Sequence, residues 1–303
     1  MTTQGARRRD VGEILEVLCA ASRRRYQNPY TAIAWPDALA GAAYVYFSPE
    51  LSSLDGLPAY TALPEEQRRR AGLFEIGGYF SLTLHGEQRL MAGVLRLLYR
   101  SSVRAYSDYL HHLIDEENKH MVYFAEFSRR FVGKLYPDKH LPRAPREGYA
   151  PGEEELQIFA SIWIFEQLGD YFSLGLMRDT RVDPIVRQVC RLHHHEESRH
   201  LVFGREVVKD LVARFGPGFS EATRDGLRRY LDQFIAASWA EYYNPDVYRD
   251  AGLPEPYALR KAALRSDASR ARFAQAVGPV TELLRELDLA LPASPPPASQ
   301  PGA

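Results

Sequence analysis

Glu117-Asn118-Lys119-His120 and Glu197-Ser198-Arg199-His200 repeat one pattern, Glu-x-x-His, 80 residues apart. Residues three apart on a helix project from nearly one face. Each segment therefore offers one carboxylate and one imidazole to the same metal ion. Oxygen and nitrogen donors without thiolate, with room left for O₂, suit non-haem iron. One such pair is weak evidence, because it arises readily on a solvated helix. Two copies in matching places of two helical hairpins are a much stronger signal.

A paired site needs a carboxylate from each remaining helix. Glu87 lies 30 residues before Glu117, and Glu166 lies 31 residues before Glu197. Partners in an antiparallel hairpin sit equally far from the turn. The first pair centres on Ser102 and the second on residue 181, both within turn signals. Each of these glutamates also sits among apolar residues: Leu84 and Met91 around Glu87, Trp163 and Leu174 around Glu166. A carboxylate on an apolar face costs several kcal/mol unless it is neutralised. Four carboxylates against two divalent ions balance. The segment 74–82, FEIGGYFSL, resembles FEQLGDYFSL at 165–174 and offers Glu75 as an alternative to Glu87. Glu75 and Glu117 centre on residue 96, inside an apolar run without a breaker, so Glu87 is preferred and Glu75 stays as the fallback.

The run His193-His194-His195 adds imidazoles just before Glu197. At about 100° per residue, His193 lies about 40° from Glu197, with His200 on the other flank. His193, Glu197 and His200 then share one stripe. His194 is the weaker alternative, and His195 points away. Glu116 and Glu196, directly before the two motif glutamates, are candidates to take the outward N–H of a ligand histidine on the partner helix.

These side chains need four long helices. Apolar spacing predicts one helix from Pro64 to about Tyr99 and a second from Ser102, a good N-cap, to about Gly133. Prolines and glycines make 133–152 a long connection. A third helix follows from Glu153, whose acidic run suits a helix N-terminus. A fourth runs from Asp183-Pro184, a cap and first-turn pair, to Phe215. The pattern is all-α: a four-helix bundle of two antiparallel hairpins with a long crossover, as in ferritin-like proteins. Further helices are expected at 11–25, 220–243 and 269–287, with an irregular stretch between the last two. Residues 1–291 are read as a single domain with its bundle core at about 64–215, and 292–303, PASPPPASQPGA, as a disordered tail.

The 303 residues are 45% hydrophobic and 25% charged, with a formal net charge of -1. That balance argues against nucleic acid as a partner. No long uninterrupted apolar run suggests a membrane span, and no signal peptide is seen at the start. The two cysteines, Cys19 and Cys190, make no disulfide framework, and a cytoplasmic location is expected.

At this point the chain resembles the AurF-type di-iron N-oxygenases, the aminobenzoate and arylamine oxygenases of antibiotic pathways. The resemblance rests on the doubled Glu-x(~30)-Glu-x-x-His and on the histidine four before the second motif glutamate. It covers roughly residues 60 to 260, including NPDVYRDAGL at 244–253. The family's ligands match Glu87, Glu117, His120, Glu166, His193, Glu197 and His200. The resemblance implies two iron ions cycling between Fe²⁺ and Fe³⁺, with O₂ as co-substrate. It further implies a small-molecule amine as substrate and electrons from a reductase or reduced carrier. A mixed Mn/Fe cluster fits the same ligands, and a homodimer is compatible with all of this. C–H hydroxylation or desaturation at the same cluster is the alternative chemistry. Iron storage is a more distant one, because a bare storage bundle does not need the Tyr-, Trp- and Pro-rich segments on either side. Phe80, Phe124, Trp163 and Phe172 are expected to wall the substrate pocket. Arg249, Arg260 and Arg265 are the arginines considered for a substrate carboxylate.

Overall fold

The computed structural model describes residues 10–137 and 148–290. The tail expected to be disordered, 292–303, and most of the crossover, 138–147, lie outside the described residues. Four helices form the bundle. α3 (Glu65–Leu97) pairs with α4 (Ser107–Phe127), and α5 (Glu153–Arg178) pairs with α6 (Pro184–Phe215). The hairpins meet through α3 against α5 and α4 against α6. The two turns centre on residues 102 and 181, where the paired glutamates place them. α3, at 33 residues, is roughly 50 Å long.

Local chemistry sets most of the ends. The Asp183 carboxylate caps α6 by accepting from the Ile185 N–H at 2.9 Å. Its other oxygen accepts from Ala40 at 2.8 Å, and its backbone pairs with Val45, so the cap also pins the irregular segment before the bundle. Three glutamates, Glu153 to Glu155, fill the first turn of α5. The residue before them, Gly152, has φ +80°, and a Cβ there would lie 2.1 Å from the Phe215 ring. Ser102 is not the cap of α4. The chain first makes a 3₁₀ turn over Arg104–Tyr106, and α4 starts at Ser107. Ser102 Oγ instead donates to Glu155 at 2.6 Å, tying the first turn to the start of α5. The last turn of α4 widens into a π-helix, Ser128–Val132.

α5 carries buried residues all round and is the central helix. α3 and α6 cover it within the bundle, and α7 (Glu221–Glu241) and α10 (Asp267–Glu286) cover it from outside. α1 (Val11–Arg24) lies across α4 and α6. α2 (Pro58–Thr61) is a single turn in the loop before α3. The stretch expected to be irregular after α7 holds two helices, α8 (Pro245–Asp250) and α9 (Pro256–Arg265). Each has its proline at the first turn, where the missing N–H costs nothing. The described residues contain no strand; one isolated bridge joins Val45 and Val182. One continuous apolar core runs from Leu15 to Leu289. The molecule is all-helical and ferritin-like in its bundle.

Candidate metal centre

Seven side chains from the four bundle helices converge at mid-bundle. α3 brings Glu87, α4 brings Glu117 and His120, α5 brings Glu166, and α6 brings His193, Glu197 and His200. None is more than 3% exposed. His120 Nδ1 lies 3.1 Å from Glu117, 3.2 Å from Glu197 and 3.6 Å from Glu87. His193 Nε2 lies 3.2 Å from Glu197 and 3.5 Å from Glu87. His200 Nδ1 lies 2.9 Å from Glu117 and 3.3 Å from Glu197. One atom each from Glu87, His120, His193 and Glu197 falls within 4.8 Å of the others, and so does one each from Glu117, His120, Glu197 and His200. Glu166 faces Glu117 and Glu197. Burial, and then these two negative neighbours, push its carboxyl well above the ordinary range.

The alternatives separate cleanly. Glu75 is three turns away from the cluster. Its carboxylate accepts from Ser52 Oγ and from the Ser53 hydroxyl and N–H at 2.6–2.8 Å. His194 turns aside to Asp170 at 2.5 Å, and His195 is exposed.

The outward nitrogens of the three histidines are held in turn. His200 Nε2 donates to Glu116 at 2.8 Å, and His120 Nε2 donates to Glu196 at 3.0 Å. Each hairpin thus holds the other's imidazole. His193 Nδ1 meets Ser173 Oγ at 2.8 Å, and that hydroxyl meets Tyr79 OH at 2.7 Å. These bonds leave one nitrogen of each ring facing the cluster. Both outer glutamates also carry a buried cation. Arg199 donates to Glu116 at 2.6 Å, and Lys119 reaches Glu196 at 3.3 Å. Burial opposes ionisation of Glu116, but His200 and Arg199 outweigh it and hold the carboxyl down to about 2.

The inner carboxylates have no such compensation. Among the described residues, eight of fifteen buried side-chain atoms without a hydrogen-bond partner belong to this cluster. They are both oxygens of Glu87 and of Glu197, one each of Glu117 and Glu166, His193 Nε2 and His200 Nδ1. The close approaches between them lack hydrogen-bond geometry. Buried polar atoms are almost always satisfied. An orphaned set of carboxylate oxygens and imidazole nitrogens, drawn from four helices onto one point, fits a pair of metal ions.

Aromatic side chains surround the cluster. Phe124 meets the His193 ring edge-on at 5.1 Å and stacks on Phe80 at 4.8 Å. Phe172 stacks on Tyr242 at 4.3 Å, and Tyr242 lies close enough to Glu166 to feel its charge. Trp163 packs against Gly204. Tyr79, Phe172, Tyr242 and Arg272 line a cavity of about 20 Å³, room for a water molecule. Arg249 and Arg260 do not line it. Arg249 pairs with Asp246 at 2.6 Å, and Arg260 donates to the Tyr243 carbonyl. Arg265 is exposed. Tyr106 bonds to Asp210, Tyr109 packs on Phe203, and Tyr171 bonds to Gln275.

Comparison with known proteins agrees with this geometry. A family model described as P-aminobenzoate N-oxygenase AurF matches residues 8–288. Uncharacterised proteins of Mycobacterium tuberculosis and Mycobacterium bovis are 27% identical over 213 residues, 67% of this chain. The match spans 62% of their own length. Among solved structures, a variant of an R2-like ligand-binding oxidase with an aerobically reconstituted Mn/Fe cofactor aligns with a TM-score of 0.50. The identity is 14%, covering 91% of this chain and 94% of that one, and shows the shared fold.

Proposed function

The chain belongs to the P-aminobenzoate N-oxygenase AurF family and is a di-metal oxidase, and we propose that it oxidises the nitrogen of a small-molecule amine. The reaction runs from amine to hydroxylamine and nitro group, with O₂ as co-substrate and an external electron donor, in a cytoplasmic biosynthetic pathway. The observation that carries this reading is the seven-residue cluster with its orphaned atoms, above all the third imidazole, His193. Glu87, Glu117, His120, Glu166, His193, Glu197 and His200 would hold two iron ions. Bound iron supplies the redox chemistry and the reaction with O₂.

The rest is the work of the protein's own groups. Glu116, Glu196 and Ser173 hold the outward nitrogens of the histidines, fixing ring orientation. The aromatic layer of Phe80, Phe124, Phe172 and Tyr242 excludes bulk water. Tyr242 keeps its proton, because burial raises its phenol, and its buried hydroxyl has no hydrogen-bond partner among the described residues. The enclosed space is too small for an aromatic amine, so a substrate enters by parting the Phe172–Tyr242 stack. An amine-to-nitro conversion removes six electrons, so several O₂-dependent turns occur at one site, with the hydroxylamine released or retained between them.

Anaerobic protein loaded with Fe(II) should bind two irons per chain, and Glu117→Ala or Glu197→Ala should bind one or fewer. Adding O₂ should give an optical transient that decays faster when an arylamine is present. Two irons retained in both variants, or a transient indifferent to every amine, would contradict the proposal.

A further inference from the structure

A second, larger opening is lined by Glu196 rather than Tyr242. It is a cleft with about 430 Å³ of room where the end of α1 meets α4 and α6. Arg25, Tyr26, Tyr123, His195, Glu196 and Arg199 line it. The volume lies within the range of small-molecule sites. Its floor is unusual. Of the three imidazoles, His193 is tied to Ser173 and His200 to Glu116, both fully or almost fully buried. His120 is tied to Glu196, which lines the cleft. One ligand imidazole is therefore reached from the surface through a single carboxylate.

The walls define an occupant. Glu196 is engaged by His120 and Lys119, and the Arg199 guanidinium is spent on Glu116, Ser22 and the His195 carbonyl. The remaining field is positive. Arg25, Arg199 and His195 all line the cleft. Arg25 stands exposed at the mouth, suited to a phosphate or carboxylate. Tyr26 is 59% exposed, rests on the Lys119 ammonium at 4.5 Å, and offers a ring for stacking.

We propose that this cleft seats a phosphate-bearing planar reductant, of the chemical class of reduced flavin mononucleotide, against the Glu196–His120 hydrogen bond. The role as electron donor rests on the oxidase reading; the binding itself does not. The hydroquinone leaves as the quinone, giving up two electrons and two protons. Two iron ions held by the seven-residue cluster would accept these electrons, one each, and the protons go to solvent.

Metal-free full-length protein titrated with oxidised FMN tests the site, read by quenching of flavin fluorescence. Saturable quenching with one flavin per chain is expected. Riboflavin, which lacks the phosphate, and Arg25→Glu should each weaken it about tenfold or more. Tyr26→Ala should remove most of the quenching. Both side chains are exposed, so the fold should survive, and circular dichroism verifies it. In iron-loaded protein, anaerobic reduction by FMNH₂ should slow by a similar factor in Arg25→Glu. No saturable quenching below about 1 mM FMN, or quenching unchanged in both variants, would overturn the proposal. So would a ferredoxin that binds in an Arg25-dependent way where FMN does not. Failure of amine oxidation would leave the titration with metal-free protein untouched.

Discussion

Arg199 and Lys119 sit two residues after the motif glutamates, and each crosses to the outer carboxylate of the other hairpin, at 2.6 and 3.3 Å. Both cations are almost fully buried. Removing one partner strands the other, so Glu116→Ala should destabilise the protein by about 3 kcal/mol and weaken metal binding by about 10- to 100-fold. Denaturant melts and metal titration check this. Adding Arg199→Met should recover much of the stability but not the metal affinity. Both copies read Glu-Glu-x-(Lys/Arg)-His, so these cations were legible as a second repeat inside the first. Ser173 and Tyr79, which support His193, gave no such signal, because their roles depend on how α3 and α5 rotate against each other. The imidazoles also predict a pH dependence. In the metal-free protein burial opposes the charge on His193, but Glu197 and Glu87 outweigh it and push the imidazole up to about 9. A raised basic group stabilises fully below its unfolded value near 6.5 and loses that contribution as pH rises through about 9. The loss is on the order of 3 kcal/mol. The melting temperature of metal-free protein should therefore fall between pH 6.5 and 9. Metal-loaded protein, whose ligands are already deprotonated, should hold nearly constant.

At the scale of the helices, register decides whether the ligands meet. The equal spacing of Glu87 and Glu166 from their hairpin turns follows from antiparallel geometry alone, and so was readable. The closeness of α3 to α5 was not. Gly86 lets the Phe165 ring lie against the backbone of α3 beside Glu87, and a Cβ at Gly86 would stand 1.9 Å from that ring. Gly86→Ala should force the two helices apart at the ligand layer and cost about 2–3 kcal/mol. Pairing it with Phe165→Leu should return part of the loss. Thermal melts of the three variants measure this, and a neutral Gly86→Ala would show that the contact yields easily. The missed elements have a common cause. Asn244-Pro245, Gly252 and Pro254 read as breakers, yet Pro245 opens helix α8, and Pro256 just beyond opens α9. Ser102 failed as a cap because the chain makes a 3₁₀ turn before α4 begins.

Across the whole molecule, the bundle alone could hold the metal ions, and the added segments line two openings beside it. α7 and the segment after it bring Tyr242 over Glu166, and α1 brings Arg25 and Tyr26 over Glu196. On the proposed reading, the first side takes the amine and the second its reductant. No helix among the described residues is long and apolar enough to cross a membrane. The substrate was not legible, because no motif names it and the aromatic side chains around the cluster come from distant segments. The central claim is that the cluster puts oxygen from O₂ onto nitrogen. It is tested most directly by supplying reduced di-iron protein with ¹⁸O₂ and a panel of aminobenzoates and other primary amines, then weighing the products. The account predicts a hydroxylamine, followed by a nitro compound, carrying ¹⁸O on nitrogen. Products hydroxylated only on carbon, or nitrogen oxides without the label, would contradict it.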